Sequence, residues 1–220
     1  MTPSERFLEA SAGIWEGYNR HPFVTGIADG SLDIEKFKFY MIQDYLYLID
    51  YIKVFSIGAA KASDLETVAL FADYTKQISG GEMEIHRGYM KRLGISLQEA
   101  ENTPVSLDNL SYTSYMIRTA YEGDAADVMA VILACAVSYE KIAKRIMQEH
   151  PDADKHEFYG EWVAGYADPG YAAANTVLVN AMNRLAEGLS EERLAKLTDI
   201  FVNCSRYEAS FWDMAWEMRP

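Results

Sequence analysis

The chain has 220 residues, half of them apolar and 24% charged, which fits one globular unit with a sizeable core and excludes disorder, collagen and fibrous coiled coil. Twenty Lys+Arg against 33 Asp+Glu leave a formal charge of −13, and a surface that acidic argues against nucleic-acid and membrane-surface partners. The longest apolar run, 128–137, has ten residues, about half of a bilayer span. The opening Met1-Thr2-Pro3-Ser4-Glu5-Arg6 lacks a basic region followed by an apolar one, and Cys135 and Cys204 are too few for a disulfide scaffold. A cytoplasmic protein is expected. Tyrosine (15) outnumbers phenylalanine (9), which suits a pocket with apolar walls and polar points.

Helical periodicity dominates from end to end, and β-branched residues rarely alternate as strands require. Thr2-Pro3-Ser4-Glu5 predicts a capping box opening a helix to about Arg20, which His21-Pro22 ends. After a short segment, Asp29-Gly30 marks a turn, and Ser31 to Asp33 offer caps for a long helix to about Ala62. Ser63-Asp64 starts the next, which reaches Leu93-Gly94 with a bend or break at Gly80-Gly81. The stretch 95–108, containing Pro104, is expected to be the longest loop. Helices follow at 109–123, 124–150, 156–166, 170–188 and 190–218. No repeat, linker or composition shift marks a boundary, so residues 1–220 are expected to form one all-α domain of seven or eight helices.

Three helical stripes carry chemistry. Phe37, Tyr40, Asp44, Tyr47, Tyr51 and Val54 alternate spacings of three and four, with Asp44 the single carboxylate. It either faces solvent at the stripe's edge or is buried with a partner or a task. Leu197, Phe201, Cys204, Glu208, Phe211, Ala215 and Met218 repeat the pattern around Glu208. Apolar surroundings would raise that carboxyl's pKa, as a general acid requires; the alternative is a structural Glu paired with a buried Arg or Lys. Val128, Ile132, Cys135, Tyr139, Ile142 and Ile146 form the third stripe, on which spacing alone leaves Cys135 an ordinary small core residue.

Glu82 and His86 stand at i, i+4, a spacing that can bind metal on a helix. A carboxylate di-iron site in a bundle needs a second such set, and no His follows His156. The pair therefore reads as a structural hydrogen-bonding pair or a subunit contact. His21, beside Pro22, reads as a capping or loop residue rather than a haem ligand. Phosphate-binding glycine loops and the G-x-S-x-G elbow are absent.

In order along the chain come Gln43-Asp44-Tyr45-Leu46-Tyr47-Leu48, Ser111-Tyr112-Thr113-Ser114-Tyr115-Met116, Cys135 with Tyr139, Trp162-Val163-Ala164-Gly165-Tyr166, and Arg206-Tyr207-Glu208-Ala209-Ser210-Phe211-Trp212-Asp213-Met214-Ala215. Together they resemble the TenA family, thiaminase II, in its cysteine-containing branch and across essentially the whole chain. The resemblance implies the haem-oxygenase-like all-α fold, no cofactor, no metal and a homotetramer. It assigns Cys135 as nucleophile with a low-pKa thiol, Glu208 as acid, and Asp44 as the carboxylate that holds an aminopyrimidine. Tyr47, Tyr112, Tyr139 and Tyr166 would stack on or hydrogen-bond the ring. Ala136, Val137 and Glu140-Lys141 depart from the family's usual pattern after the cysteine. The implied activity is hydrolysis of 4-amino-5-aminomethyl-2-methylpyrimidine to its hydroxymethyl counterpart, and cleavage of thiamine, in thiamine salvage. The alternatives are an oxidase of the pyrroloquinoline-quinone-synthase branch, a non-catalytic pyrimidine-binding or regulatory protein, and an enzyme for another amino-substituted heterocycle.

Overall fold

Capping chemistry sets most of the helix boundaries. In the computed structural model, which describes residues 1–220, the Thr2 side chain accepts from the Glu5 amide and the Glu5 carboxylate from the Thr2 amide, opening α1 (Pro3–Arg20). His21 closes α1 and caps α2 (Pro22–Asp29), whose end is turned by Gly30 at φ 78°. Asp33 caps α3 (Ile34–Lys61) and Asp64 caps α4 (Leu65–Gln77). A π-helical turn, Ile78–Glu82, joins α4 to α5 (Met83–Arg92). Then come α6 (Leu97–Asn102), α7 (Leu107–Glu122), α8 (Ala125–Glu149), α9 (Gly160–Ala167), α10 (Pro169–Leu185) and α11 (Glu191–Glu217). No strand is present, so the all-α expectation holds.

There are eleven α-helices rather than seven or eight. The segment after His21 is helical, and the expected loop contains α6, opened by a Ser96/Glu99 capping box. Gly80-Gly81 sit where the α-helical pattern is interrupted, inside the π turn, and the hydrogen-bond register slips there by one residue.

The apolar run at the start of α8 is buried on every face because α3, α7, α9, α10 and α11 surround it. This is why the run is apolar all round without being a membrane span, and no helix is long and apolar enough to cross a membrane. A continuous core of 58 buried residues leaves no seam between halves of the chain. Toward that core α3, α8 and α11 turn Asp44, Cys135 and Glu208, while the π turn, α5, α9 and α10 stand opposite and leave a space between.

Candidate active site

That space is a cavity of about 500 Å³, walled by 17 hydrophobic residues among 25, a proportion suited to an organic ring held by few polar contacts. Asp44, Tyr47, Cys135, Tyr139 and Tyr166 line it; Tyr112 and Glu208 stand one layer behind.

Asp44 is only 4% exposed, which rules out a place at a solvated edge. Its Oδ2 lies 2.6 Å from His86 Nε2, and His86 Nδ1 lies 3.1 Å from the Glu82 carbonyl oxygen. Both ring nitrogens face acceptors, an arrangement that favours the doubly protonated imidazolium. Burial alone would lower its pKa, but the Asp44 hydrogen bond and charge, with Glu82, raise it overall. Glu82 and His86 both line the cavity, and His86 bridges the Glu82 carbonyl oxygen and the Asp44 carboxylate, so the pair extends to a third residue. Asp44 and His86 are satisfied by each other, and no three His, Cys, Asp or Glu side chains converge with metal-binding geometry.

Cys135 lies at the cavity wall, whereas Cys204, four residues before Glu208, is wholly buried away from it. Burial drives the Cys135 thiol well above its usual range, the Glu208 charge adds to this, and the adjacent Tyr47 phenol only partly opposes it. This corrects the expectation of a low-pKa thiol. The sulfur is surrounded by apolar surface and carboxylates, so the resting group is protonated.

Glu208 is 2% exposed and accepts a 2.8 Å hydrogen bond from the Tyr112 hydroxyl, with no Arg or Lys partner. Burial pushes its pKa up to about 8, against the Tyr112 hydrogen bond and the nearby Cys135 thiol. The Tyr112 ring stacks on Tyr207 at 5.4 Å and tilts against Tyr47 at 5.3 Å, so it supports the wall rather than presenting a face to the cavity. Tyr139 accepts from the Tyr40 hydroxyl at 3.3 Å, and its ring meets Tyr166 at 4.8 Å. The Tyr47 hydroxyl, 3% exposed, has no hydrogen-bond partner. It is enclosed by protein, with the Cys135 thiol and the Tyr112 hydroxyl as its polar neighbours.

Tyr171 and Asn175 on α10 were not marked by any sequence signal. They donate to the Ala136 carbonyl at 3.1 and 2.9 Å, and Asn175 also reaches Glu140 Oε2 at 2.7 Å. They fasten α10 over the departure positions that follow Cys135; the small Ala136 opens the wall there and Tyr171 lines it.

A family model described as TENA/THI-4/PQQC matches residues 8–218. An aminopyrimidine aminohydrolase from Halalkalibacterium halodurans is 44% identical over 100% of this chain and 97% of its own length. One from Helicobacter pylori is 39% identical over 99% of this chain and 100% of its own. Among solved structures, a TenA homologue protein from P. horikoshii OT3 superposes with a TM-score of 0.89, covering 99% of both chains at 27% identity.

Proposed function

The chain belongs to the TENA/THI-4/PQQC family, and from that premise we propose that it is an aminopyrimidine aminohydrolase of thiamine salvage. It replaces the amino group of 4-amino-5-aminomethyl-2-methylpyrimidine by hydroxyl, and it cleaves thiamine at the equivalent carbon–nitrogen bond. The observation that carries this reading is one cavity joining a wall-lying thiol, a cation-paired carboxylate and tyrosine rings, with a carboxyl of raised pKa behind the sulfur.

In this reading Asp44 binds the polar edge of the pyrimidine through the oxygen not committed to His86, and Tyr139 and Tyr166 bound the ring. Water leaves as the ring enters, and the Cys135 proton passes to the ionised fraction of Glu208. A carboxylate with a pKa of about 8 is a far better base for a thiol than an ordinary one, and once protonated it is an acid suited to neutral pH. The sulfur adds to an electron-poor ring carbon, and the exocyclic carbon–nitrogen bond breaks with its electron pair on nitrogen. Water adds to the methylene, and the sulfur is expelled. A cytoplasmic location and a homotetramer belong to the same proposal. The two unpaired cysteines support the first, and the exposed apolar side chains of α7, Leu107 at 74% and Tyr121 at 66%, support the second.

The test is product analysis by mass spectrometry after metal-free incubation with the aminomethylpyrimidine and with thiamine. The hydroxymethylpyrimidine should form from both. Cys135→Ser should cut kcat by several orders of magnitude with binding retained, and Cys204→Ser should alter stability more than rate. Full activity in Cys135→Ser would overturn the mechanism.

A further inference from the structure

Three carboxylates face the cavity, Asp44, Glu82 and Glu161, and no Lys or Arg does. Two of them are already matched: Asp44 by His86, and Glu161 by an ion pair with Arg92. Glu82 stands apart. Its carboxylate has neither hydrogen bond nor ion pair, and only the more distant His86 charge favours its ionised form.

The backbone explains its position. Glu82 is the last residue of the π turn, the one place where the α4–α5 helix slips register, and it lines the cavity together with Ile78 and Gly81. Its charge is felt by Asp44's partner His86 on α5, by Cys135 on α8, by Tyr166 on α9 and by Tyr171 on α10. The Tyr47 ring lines the same space on the α3 side. Leaving a carboxylate unpaired in an apolar cavity is costly. Burial raises the Glu82 pKa to about 7, His86 lowering it and Asp44 raising it further, so near neutral pH the group is poised to ionise when a cation arrives.

We propose that Glu82 receives the positive charge of the substrate: the ammonium of an aminomethyl heterocycle, or the quaternary ring nitrogen of a larger one. The inference rests on the aminohydrolase reading and deepens it, because it makes the cavity selective for cationic, unphosphorylated substrates. It also bears on the chemistry. A nitrogen held as ammonium already carries its departing proton; when the carbon–nitrogen bond breaks with both electrons on nitrogen, it leaves as neutral ammonia. No proton then has to reach it from Glu208, which lies behind the cavity wall.

The test compares the aminomethylpyrimidine with its hydroxymethyl counterpart, nearly the same shape but uncharged, by calorimetric titration of wild type, Glu82→Gln and Glu84→Gln. Glu84 lies two residues on, exposed and paired with Arg87, so its variant controls for a bare loss of charge. Glu82→Gln should weaken the amine by about 10- to 100-fold and leave the alcohol within about twofold, as expected for loss of a charge-assisted contact. Glu84→Gln should change neither. Equal effects on both ligands, or none on the amine, would overturn the proposal. Should Glu82→Gln not fold, the wild type decides: its preference for the amine over the alcohol should shrink as pH falls below about 7, and a constant preference overturns it. Wild-type turnover with unaltered selectivity in Glu82→Gln sinks only the role of Glu82. Wild type that neither binds nor converts either pyrimidine sinks the aminohydrolase reading, and this inference with it.

Discussion

At the residue scale, the buried carboxyl of Glu208, the proposed acid, ties stability to pH. Its pKa rises from 4.5 in the unfolded chain to about 8 in the folded one, so the folded state holds the proton more tightly. Between those values the unfolded state releases a proton that the folded state keeps, and stability therefore falls as pH rises. The contribution is fully present below about 4.5 and is lost on passing through about 8. Glu208→Gln retains an acceptor for Tyr112 but cannot ionise. Its melting temperature should gain on that of the wild type steadily across this window, while kcat falls with binding little changed. A stability difference independent of pH would show that the carboxyl is not buried as described. The lone acid on an apolar stripe was legible in the sequence, and so was its direction of pKa change, because periodicity fixes which neighbours desolvate it. The state of Cys135 was not. Its environment is set by Asp44, Glu82 and Glu208 from three other elements, a convergence that exists only after folding. The Asp44–His86 pair is hidden for the same reason, being 42 residues apart in sequence.

At the scale of elements, caps were the readable part. Thr2, Asp33, Asp64, Asp124 and Ser190 each begin a helix with the side-chain contact their chemistry suits. The Ser96/Glu99 box is equally present in the sequence, inside the stretch that Pro104 marks as a loop. The π turn has no periodic signature, since slipping one hydrogen bond leaves the flanking stripes nearly in phase; Gly80-Gly81 therefore read as a break. Three helical glycines now make a test. A methyl added at Gly80 or Gly81 meets nothing within 4 Å, whereas one at Gly58 falls 2.7 Å from the Phe71 ring, where α3 crosses α4. Propensity alone would have alanine stabilise all three by up to about 1 kcal/mol each. Gly80→Ala and Gly81→Ala should raise the melting temperature by about 2–4 °C each, and Gly58→Ala should lower it, overpacking costing roughly 1–3 kcal/mol. A stabilised Gly58→Ala in thermal denaturation would mean that α3 and α4 do not approach as closely as described.

At the scale of the whole molecule, charge and cavity have the same sign. The chain carries −13, and the cavity presents carboxylates with no Lys or Arg among its walls. Composition alone shows that excess; that one unmatched carboxylate, Glu82, stands at the cavity beside the paired Asp44 and Glu161 is visible only when α3, the π turn and α9 are brought together. The result is a long-range field that gathers cations and a site whose one cationic side chain, His86, is already matched by Asp44. Such a field acts over about 10 Å at 0.1 M salt and is screened at higher concentration, so its signature is kinetic. For the cationic aminomethylpyrimidine and for thiamine, kcat/KM should fall as salt is raised from a few millimolar to about 0.5 M, with kcat itself little changed. Phosphate esters of the same pyrimidine should bind poorly and respond in the opposite sense, their weak inhibition strengthening with salt as repulsion is screened. Steady-state assays over that range, with the neutral hydroxymethylpyrimidine as a salt-insensitive reference, separate this field from a general effect of salt on the fold. If phosphate esters compete as well as the uncharged alcohol at low salt, either His86 is released from Asp44 to meet the phosphate or a cation comes from outside the walls, and the acidic surface would no longer account for what the enzyme admits.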